Sequence, residues 1–279
     1  MHCFESLELA SRTIESASAL LVCAGAGLGV DSGLPDFRGT EGFWRAYPPL
    51  AQLGLSFESI ANPRWFRTDP ALAWGFYGHR LELYRRTIPH LGFNLLQGWM
   101  RSKSHGGFVY TSNVDGQFQC AGFDENAIVE IHGTIHRCQC SRRCGVGTFS
   151  SDAFRIHVDE NSLRASDPLP VCPECGSIAR PNILMFGDVE WNAERTDAQC
   201  QRLQQWLSAI PVGELVVIEL GAGTALPHMR RQSEQWSHHF QTPLIRINPL
   251  DASVPTESIG LPYRALETLL SLNSLLFAL

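Results

Sequence analysis

The spacing of the cysteines is the first feature of this sequence that indicates chemistry. The chain has nine cysteines; Cys140 and Cys144 form one close pair, and Cys172 and Cys175 form another. Four thiolates complete the tetrahedral shell of a structural zinc ion and leave no open position for catalysis. The spacing leaves either Cys138 or Cys140 as the first ligand, and a set of free or redox-active cysteines is the alternative.

A glycine-rich loop follows the first apolar run of the chain. Gly25, Gly27 and Gly29 come directly after Ala19–Cys23, and glycine lets the backbone approach a phosphate and donate N–H groups to it. The usual dinucleotide fingerprint Gly-x-Gly-x-x-Gly is not met, because no frame puts a glycine at its third position. A turn without a ligand is therefore the alternative interpretation.

The residues just beyond this loop strengthen the prediction of a ligand. Asp36, Phe37 and Arg38 follow a proline. The arginine fork can clamp a phosphate or a carboxylate, and a phenylalanine can shield a reactive centre from water.

Three polar residues follow two short apolar runs of the sequence. Asn113 and Asp115 come after the run 107–111, and His132 comes after the run 127–131. The carboxyl ends of parallel strands meet at one edge of a sheet, so these side chains are expected in one cleft. Histidine titrates near neutral pH and suits a general base, whereas a structural or surface role is the alternative.

Tyr77 and Arg80 are three residues apart in a stretch with helical character. That spacing puts both side chains on one helix face, where a phenol and a guanidinium can hold a carboxylate through charge-assisted hydrogen bonds. A solvated arginine beside a packed tyrosine is the alternative.

The elements that must position these residues follow from the apolar pattern. Short apolar runs predict buried parallel strands at 19–23, 107–111, 127–131, 214–220 and 243–247. Helical stretches alternate with them at 70–87, 92–103, 193–209, 226–240 and 262–276. This alternation predicts a doubly wound, Rossmann-like α/β sheet. The aromatic-rich stretch 40–90 and the cysteine-rich stretch 136–182 interrupt it, and they are predicted to form a smaller lobe.

Composition excludes several classes of protein. With 22 basic and 28 acidic residues the net charge is −6, which argues against binding nucleic acid through a broad basic surface. No basic segment followed by an apolar run opens the chain, and no apolar stretch is long enough to span a bilayer. We therefore expect a cytoplasmic protein that binds neither membrane nor nucleic acid, and clustered cysteines in such a compartment favour a metal.

Five motifs of this sequence occur in the same order as in one known protein family. They are Gly25-Ala26-Gly27, Pro35–Gly39, Thr111–Gly116, His132-Gly133 and Arg180–Asp188. Together they resemble the motifs of sirtuins, the NAD-dependent protein lysine deacylases. The resemblance implies one catalytic domain over 1–279. Its large lobe would comprise 1–39, 91–135 and 183–279, and its small lobe 40–90 (a helical insertion) and 136–182 (a zinc module).

The resemblance implies a mechanism in which NAD is consumed. The acyl-lysine oxygen attacks the nicotinamide ribose carbon, nicotinamide leaves, and an alkylimidate forms. His132 then acts as general base on the ribose hydroxyl, with Asn113 and Asp115 orienting the ribose and the nicotinamide amide. The products are lysine, nicotinamide and an O-acyl-ADP-ribose.

The resemblance also implies the remaining site residues. The first zinc ligand becomes Cys140, which gives one structural zinc per chain on Cys140, Cys144, Cys172 and Cys175. The residues expected to bind NAD are Gly25, Ala26, Gly27, Asp36, Phe37, Arg38, Ser112, Asn113, Asp115, Gly221, Ala222, Gly223 and Asn248. Those expected to bind the acyl-lysine protein or peptide are Tyr77, Arg80, Ala61, Phe186 and Gly187.

The segment around Tyr77 and Arg80 resembles the Tyr-x-x-Arg motif of sirtuins that remove succinyl, malonyl or glutaryl groups. Ala61 matches the small residue that widens their acyl pocket. The resemblance thus implies desuccinylation or demalonylation beside deacetylation.

Three positions depart from the family pattern. Gly29 and Ser112 replace a serine and a glutamine of the family, and Ala222 replaces a threonine. A non-catalytic NAD sensor is therefore kept as an alternative. An ADP-ribosyltransferase or NAD glycohydrolase is a second alternative, because it would share the cleft and differ only in the acceptor; Tyr77 and Arg80 favour the deacylase. The sequence indicates neither the protein substrate nor the oligomeric state.

Overall fold

The computed structural model describes residues 3–35 and 39–277 of the chain. The helices in this part are α1 (Cys3–Ser16), α2 (Gly39–Ala46), α3 (Pro48–Gln52), α4 (Phe57–Ile60), α5 (Trp65–Thr68), α6 (Pro70–Arg86), α7 (Leu91–Ser102), α8 (Gln117–Cys120), α9 (Glu194–Ser208), α10 (His228–Phe240) and α11 (Ala265–Leu276). The strands are β1 (Ala19–Ala24), β2 (Gly107–Thr111), β3 (Ile128–Glu130), β4 (Gly133–Cys140), β5 (Thr148–Ser150), β6 (Val158–Asp159), β7 (Arg164–Ala165), β8 (Ala179–Ile183), β9 (Leu215–Leu220), β10 (Leu244–Ile247) and β11 (Ile259–Leu261). Two 3-10 helices, Ala26–Ser32 and Glu125–Ala127, complete this set.

A six-stranded parallel sheet forms the centre of the molecule. Its order is β11-β10-β9-β1-β2-β3, so the chain winds outward from β1 in both directions. All six residues of β1 are buried, because helices cover both faces of the sheet, and this explains the continuous apolar run in the sequence. The predicted doubly wound α/β fold is confirmed. Strand β11 is missing from the sequence-based prediction.

Amphipathic helices cover the two faces of this sheet. On one face α1, α7 and α11 contribute Ile14, Phe93 and Leu269 to a continuous apolar core. On the other face α9 and α10 contribute Leu203 and Phe240. The sheet therefore positions its loops rigidly, because both of its faces are packed at the density of a protein interior.

A second core gathers the aromatic residues that the sequence assigns to no strand. Phe43, Tyr47 and Phe76 pack mainly through edge-to-face or tilted rings, an arrangement that aromatic pairs prefer. Trp74 of α6 donates its Nε1 hydrogen to the Ala179 carbonyl of β8 at 2.9 Å. This bond ties the helices α2 to α6 to the antiparallel sheet β5-β4-β8.

Helix α6 approaches β7 so closely that a side chain does not fit between them. A Cβ at Gly75 would lie 1.9 Å from the Leu163 carbonyl oxygen.

The division of the chain into two lobes with the boundaries given above stays a prediction, as does the cytoplasmic location. Among the described residues, no helix is both long enough and apolar enough to cross a membrane.

Candidate active site and metal centre

The carboxyl ends of four neighbouring strands meet at one edge of the main sheet. The register pairs Ala24 with Leu220 on one side and with Thr111 on the other, and Thr111 with Glu130 beyond. The loops that follow these residues carry most of the predicted site. They therefore converge as expected for ligand sites in open α/β sheets.

The glycine loop after β1 is packed backbone against backbone with the loop after β9. The Gly27 amide donates to the Gly221 carbonyl at 3.0 Å, and the Gly25 amide donates to the Leu220 carbonyl at 2.9 Å. A Cβ at Gly25 would lie 2.7 Å from the Gly221 oxygen, and Gly221 itself has a φ of +61°. Glycine is therefore required on both sides of this contact.

The departure at Gly29 has a steric explanation. Gly29 is buried in the 3-10 helix Ala26–Ser32, and a Cβ there would lie 3.1 Å from Cδ1 of Leu34. A serine at this position would have to push the leucine side chain aside. The departures at Ser112 and Ala222 have no such explanation in the structure.

Asn113 connects the loop after β2 to the glycine loop. Its Nδ2 donates to the Gly25 carbonyl at 3.1 Å, and its backbone amide donates to Oγ1 of Thr111 at 3.0 Å. The same threonine hydroxyl donates to the Ala24 carbonyl at 2.9 Å. These three bonds hold Asn113 at the centre of the strand ends.

Asp115 is a buried acid close to Asn113. Its Oδ1 accepts a hydrogen bond from the Gln117 amide at 2.9 Å. Burial raises the pKa of the Asp115 carboxyl to about 6, and the nearby charge of Glu130 adds to this effect, while that backbone bond and Arg80 oppose it. A carboxyl with this pKa exchanges its proton near neutral pH, as a group in an active site often does.

His132 lies between β3 and β4, at the same edge of the sheet. Its carbonyl accepts from the Leu184 amide at 2.9 Å. Burial lowers the pKa of the His132 ring, a hydrogen bond to the Ser112 backbone opposes this shift, and the charge of His228 adds to it. This shift favours the neutral ring, which is the state that a general base requires.

Asn248 forms hydrogen bonds within the protein at the same edge of the sheet. Its Nδ2 donates to the Ala222 carbonyl at 2.8 Å, and its Oδ1 accepts from the amides of Leu250 and Asp251 at 3.0 and 3.3 Å. The side chain thus joins the loops after β9 and β10. A direct contact of Asn248 with a ligand stays a prediction.

Several further predicted cofactor residues occupy the rim of the same edge. Ala26 lies at the start of the 3-10 helix, Ser112 directly follows β2, and Gly223 follows Ala222 in the loop after β9. Asp36, Phe37 and Arg38 lie outside the described residues.

Tyr77 and Arg80 lie on the inner face of α6. Tyr77 is 1% exposed, and its hydroxyl has no hydrogen-bond partner in the described part of the chain. Arg80 is 6% exposed and lies over the rings of Phe76, Tyr77 and Tyr84 at 5.3 to 5.7 Å. The alternative of a solvated arginine is therefore wrong.

A backbone hydrogen bond joins Ala61 and Phe186, two of the residues predicted to bind the acyl substrate. The Phe186 amide donates to the Ala61 carbonyl at 2.9 Å, and Nδ2 of Asn62 donates to the Phe186 carbonyl at 3.1 Å. The Phe186 ring packs edge-on against Phe57 at 6.1 Å. Gly187, with a φ of +68°, turns the chain immediately afterwards.

His136 is a site-forming residue that sequence reasoning missed. Its Nε2 lies 2.9 Å from the Asp115 carbonyl, to which it donates, and it fills the space where a Cβ on Gly116 would lie. Nothing in the sequence distinguishes it from the other histidines of the chain.

The four predicted metal ligands form one cluster. The sulfurs of Cys140, Cys144, Cys172 and Cys175 all lie within 4.8 Å of one another, with 3.6 Å between Cys140 and Cys175 and 3.5 Å between Cys144 and Cys172. A tetrahedral zinc site with bonds of about 2.3 Å requires sulfurs roughly 3.8 Å apart. The cluster thus fits one zinc ion and leaves no open coordination position.

Cys138 is excluded as the first ligand because its sulfur does not belong to the cluster of four cysteines. It is fully buried in the second core, and burial raises the pKa of its thiol. The choice of Cys140 over Cys138 is consistent with the cluster, since Cys138 is not one of its four members.

Comparison with known proteins identifies the family. The Sir2 family model matches residues 25–217, which is more than half of the chain. The chain belongs to the Sir2 family. The resemblance to sirtuins is therefore confirmed, and with it the expectation that the chain is an enzyme.

The Sir2-family chain is similar to two curated proteins named NAD-dependent protein deacylase. The one from Pyrococcus furiosus is 32% identical over 67% of this chain and 68% of its own length. One from Thermus thermophilus is 33% identical over 66% of this chain and 65% of its own length. The match thus spans about two thirds of each relative.

The fold of this Sir2-family chain also resembles solved structures. A Sir2 homologue in complex with NAD has a TM-score of 0.72 at 24% identity, with coverage of 97% of this chain and 94% of the other. At this identity the likeness concerns the fold.

Proposed function

We propose that this chain is an NAD-dependent protein lysine deacylase. The observation that carries the proposal is the convergence of His132, Asn113 and Asp115 beside the glycine loop, with Asn113 bonded to the Gly25 carbonyl at 3.1 Å. Membership of the Sir2 family and relatives named for this activity support it.

The backbone of the paired glycine loops would bind the phosphates of NAD. Gly25 and Gly221 let the two loops pack against each other, and a Cβ at the neighbouring Gly223 would meet nothing within 4 Å, so a ligand can approach the main chain there. Asp115, with a pKa of about 6, would accept a hydrogen bond from the nicotinamide amide when it is ionised. Asn113 would orient the ribose.

His132 would act as the general base. Once the acyl oxygen of the substrate has displaced nicotinamide from the ribose carbon, the ring would accept the proton of a ribose hydroxyl, which attacks the acyl carbon. A water molecule would then add as the lysine amine leaves, so that the acyl group stays on the ribose. The backbone of Ser112, which acts on the pKa of the His132 ring, would favour one orientation of that ring. The products would be lysine, nicotinamide and an O-acyl-ADP-ribose.

The acyl group would be acidic, of the succinyl or malonyl type, beside acetyl. The supporting observation is that the Tyr77 hydroxyl is buried without a partner among the described residues, one helical turn from the buried cation of Arg80. An unpartnered buried hydroxyl costs about 1 to 3 kcal/mol, and a carboxylate that accepts from it removes that cost. Ala61, a small residue joined to Phe186 by a backbone hydrogen bond, would border the chain of the acyl group.

The four cysteines would hold one zinc ion with a structural role. Their sulfurs lie at the distances of a closed four-thiolate shell. When bound, zinc would join the end of β4 to the turn before β8, and it would take no part in the reaction.

The test is one reaction of purified protein with NAD and a panel of acetyl-, butyryl- and succinyl-lysine peptides, read by mass spectrometry. We expect nicotinamide and O-acyl-ADP-ribose, with succinyl-lysine cleaved. Arg80→Met should lower kcat/KM for succinyl-lysine by about 10- to 100-fold more than for acetyl-lysine, as expected for lost hydrogen bonds to a charged group.

His132→Ala is the negative control and should abolish turnover of every peptide. ADP-ribose and nicotinamide without O-acyl-ADP-ribose would indicate an NAD glycohydrolase, and ADP-ribosylated peptide would indicate a transferase. Equal losses on both peptides in Arg80→Met would contradict the assignment of the acyl pocket.

A further inference from the structure

Tyr84 is a buried residue of α6 to which the family pattern described above gives no role. It lies one turn after Arg80 and is 7% exposed. Its hydroxyl oxygen accepts two hydrogen bonds from the Arg80 guanidinium, from Nε at 3.0 Å and from Nη2 at 2.8 Å. Its ring centroid also lies 5.4 Å from the guanidinium carbon. Tyr84 therefore contacts the Arg80 guanidinium in two ways: its hydroxyl group binds one edge, and its ring packs against the group.

The two hydrogen bonds determine which edge of Arg80 a ligand can meet. A guanidinium has two edges that present a pair of donors, one with Nε and Nη2 and one with Nη1 and Nη2. Tyr84 occupies the first edge. The second edge is the one suited to a carboxylate in a two-bond fork, and its direction depends on the bonds to Tyr84.

The last turn of α6 also lies beside the catalytic loop. Nε2 of Gln117 donates to the Thr87 carbonyl, which ends α6, at 3.2 Å. The amide of the same residue donates to Asp115. The end of the helix that carries Tyr84 and Arg80 is thus attached to the segment that carries Asp115.

We propose that Tyr84 is a positioning residue that sets the specificity for acidic acyl groups by aligning the Arg80 guanidinium with the acyl carboxylate. Phenylalanine at this position keeps the ring and its stacking but removes the acceptor. The guanidinium then keeps its contacts with the neighbouring rings but loses the two bonds to Tyr84 that set its orientation within its own plane. Acidic acyl groups lose affinity, whereas an acetyl group does not reach Arg80 and is affected less.

The inference depends on the proposed function and is tested by steady-state kinetics of Tyr84→Phe with succinyl- and acetyl-lysine peptides of one sequence. We expect the ratio of KM for succinyl to KM for acetyl to rise about tenfold, as for loss of a charged hydrogen bond, with kcat changed far less than KM. Tyr47→Phe is the matched control. Tyr47 belongs to the same core, but its hydroxyl bonds to Nδ1 of His79 at 3.2 Å, so the ratio should stay within about twofold.

A double-mutant cycle with Arg80→Met separates positioning from a general loss of packing. In the Arg80→Met background, Tyr84→Phe should no longer change the KM ratio, because there is no guanidinium to align. If Tyr84→Phe does not fold, as judged by thermal melting, Tyr84→Met is the second variant, with the same expectation.

An unchanged ratio, or an effect of Tyr84→Phe that persists without Arg80, would overturn the inference while succinyl cleavage by the wild type continues. If the wild type cleaves acetyl-lysine but not succinyl-lysine, the acidic-acyl proposal fails and this inference fails with it. The two failures are thus distinguished by the wild-type enzyme alone.

Discussion

The carboxamide of Asn113 and the carboxyl group of Asp115 show how single residues combine structural and chemical roles. Asn113 and Asp115 are both buried or half-buried and hydrogen-bonded to the main chain. Asn113 is neutral, so its burial is compensated by those bonds. Burial removes water from the Asp115 carboxyl group and disfavours its charged form, and for that reason the fold raises its pKa.

Because burial disfavours the charge of Asp115, we expect a substitution that removes this charge to raise the free energy of unfolding. The folded-state pKa of about 6 lies above the ordinary value of 3.8. The contribution of a protonated Asp115 is therefore fully present below pH 4 and is lost as the pH rises through 6. We expect Asp115→Asn to raise the free energy of unfolding at pH 7.5 by about 1 to 3 kcal/mol and to lower activity.

The measurement is urea unfolding at pH 7.5 and at pH 4, where the gain should largely vanish. Asp152→Asn, at an exposed aspartate, is the control and should change the free energy by less than about 0.5 kcal/mol. A destabilised Asp115→Asn protein at pH 7.5 would show that the carboxylate is stabilised in the fold.

At the scale of elements, the site depends on how closely two loops approach. The turns after β1 and β9 meet through their backbones at Gly25 and Gly221. The strands pair in register up to Ala24 and Leu220, so the turns begin at the same level. The glycines then allow the main chains to meet where side chains would hold them apart.

We expect Gly25→Ala to disturb this contact. A Cβ there would lie 2.7 Å from the Gly221 oxygen and 2.8 Å from the Ala222 Cα, and a backbone shift of this kind costs about 1 to 3 kcal/mol. The melting temperature should fall and the KM for NAD should rise severalfold.

Gly98→Ala is the matched control for this substitution. Gly98 is exposed in α7, and a Cβ there meets nothing within 4 Å, so alanine should stabilise the protein by about 0.5 to 1 kcal/mol. Thermal melting and NAD titration of both variants test the expectation. A Gly25→Ala protein with unchanged stability and KM would contradict it.

At the scale of the whole molecule, the metal centre joins segments that are distant along the chain. Cys140 ends β4, and Cys172 and Cys175 flank the turn before β8. The sheet β5-β4-β8 lies against α6, which carries Tyr77 and Arg80. Loss of the metal should therefore disturb the acyl pocket, because β8 is hydrogen-bonded to Trp74 of α6.

We expect about one zinc per purified chain, the stoichiometry of a single four-thiolate site. Chelation should lower the melting temperature and activity together, because metal binding to such a site contributes to folding. Cys172→Ala should lose the metal, whereas Cys138→Ala should retain it, since Cys138 lies outside the cluster. A metal-free protein that is fully folded and active would rule the site out.

The sequence by itself determined the class of fold, the order of the motifs and the ligand chemistry. Continuous apolar runs marked β1 and β9 because strands covered on both faces need no polar alternation. The spacing of the cysteine pairs indicated zinc because four thiolates suit that ion. These features are local, so a linear pattern records them.

Only the tertiary structure decided which side chains meet. It separated Cys138 from Cys140, assigned Asn248 to a contact between loops, and brought His136 to Asp115 and Tyr84 to Arg80. Burial raises the pKa of Asp115 and leaves the Tyr77 hydroxyl without a partner among the described residues. Desolvation and contact between distant segments arise from packing in three dimensions, and a linear pattern does not contain them.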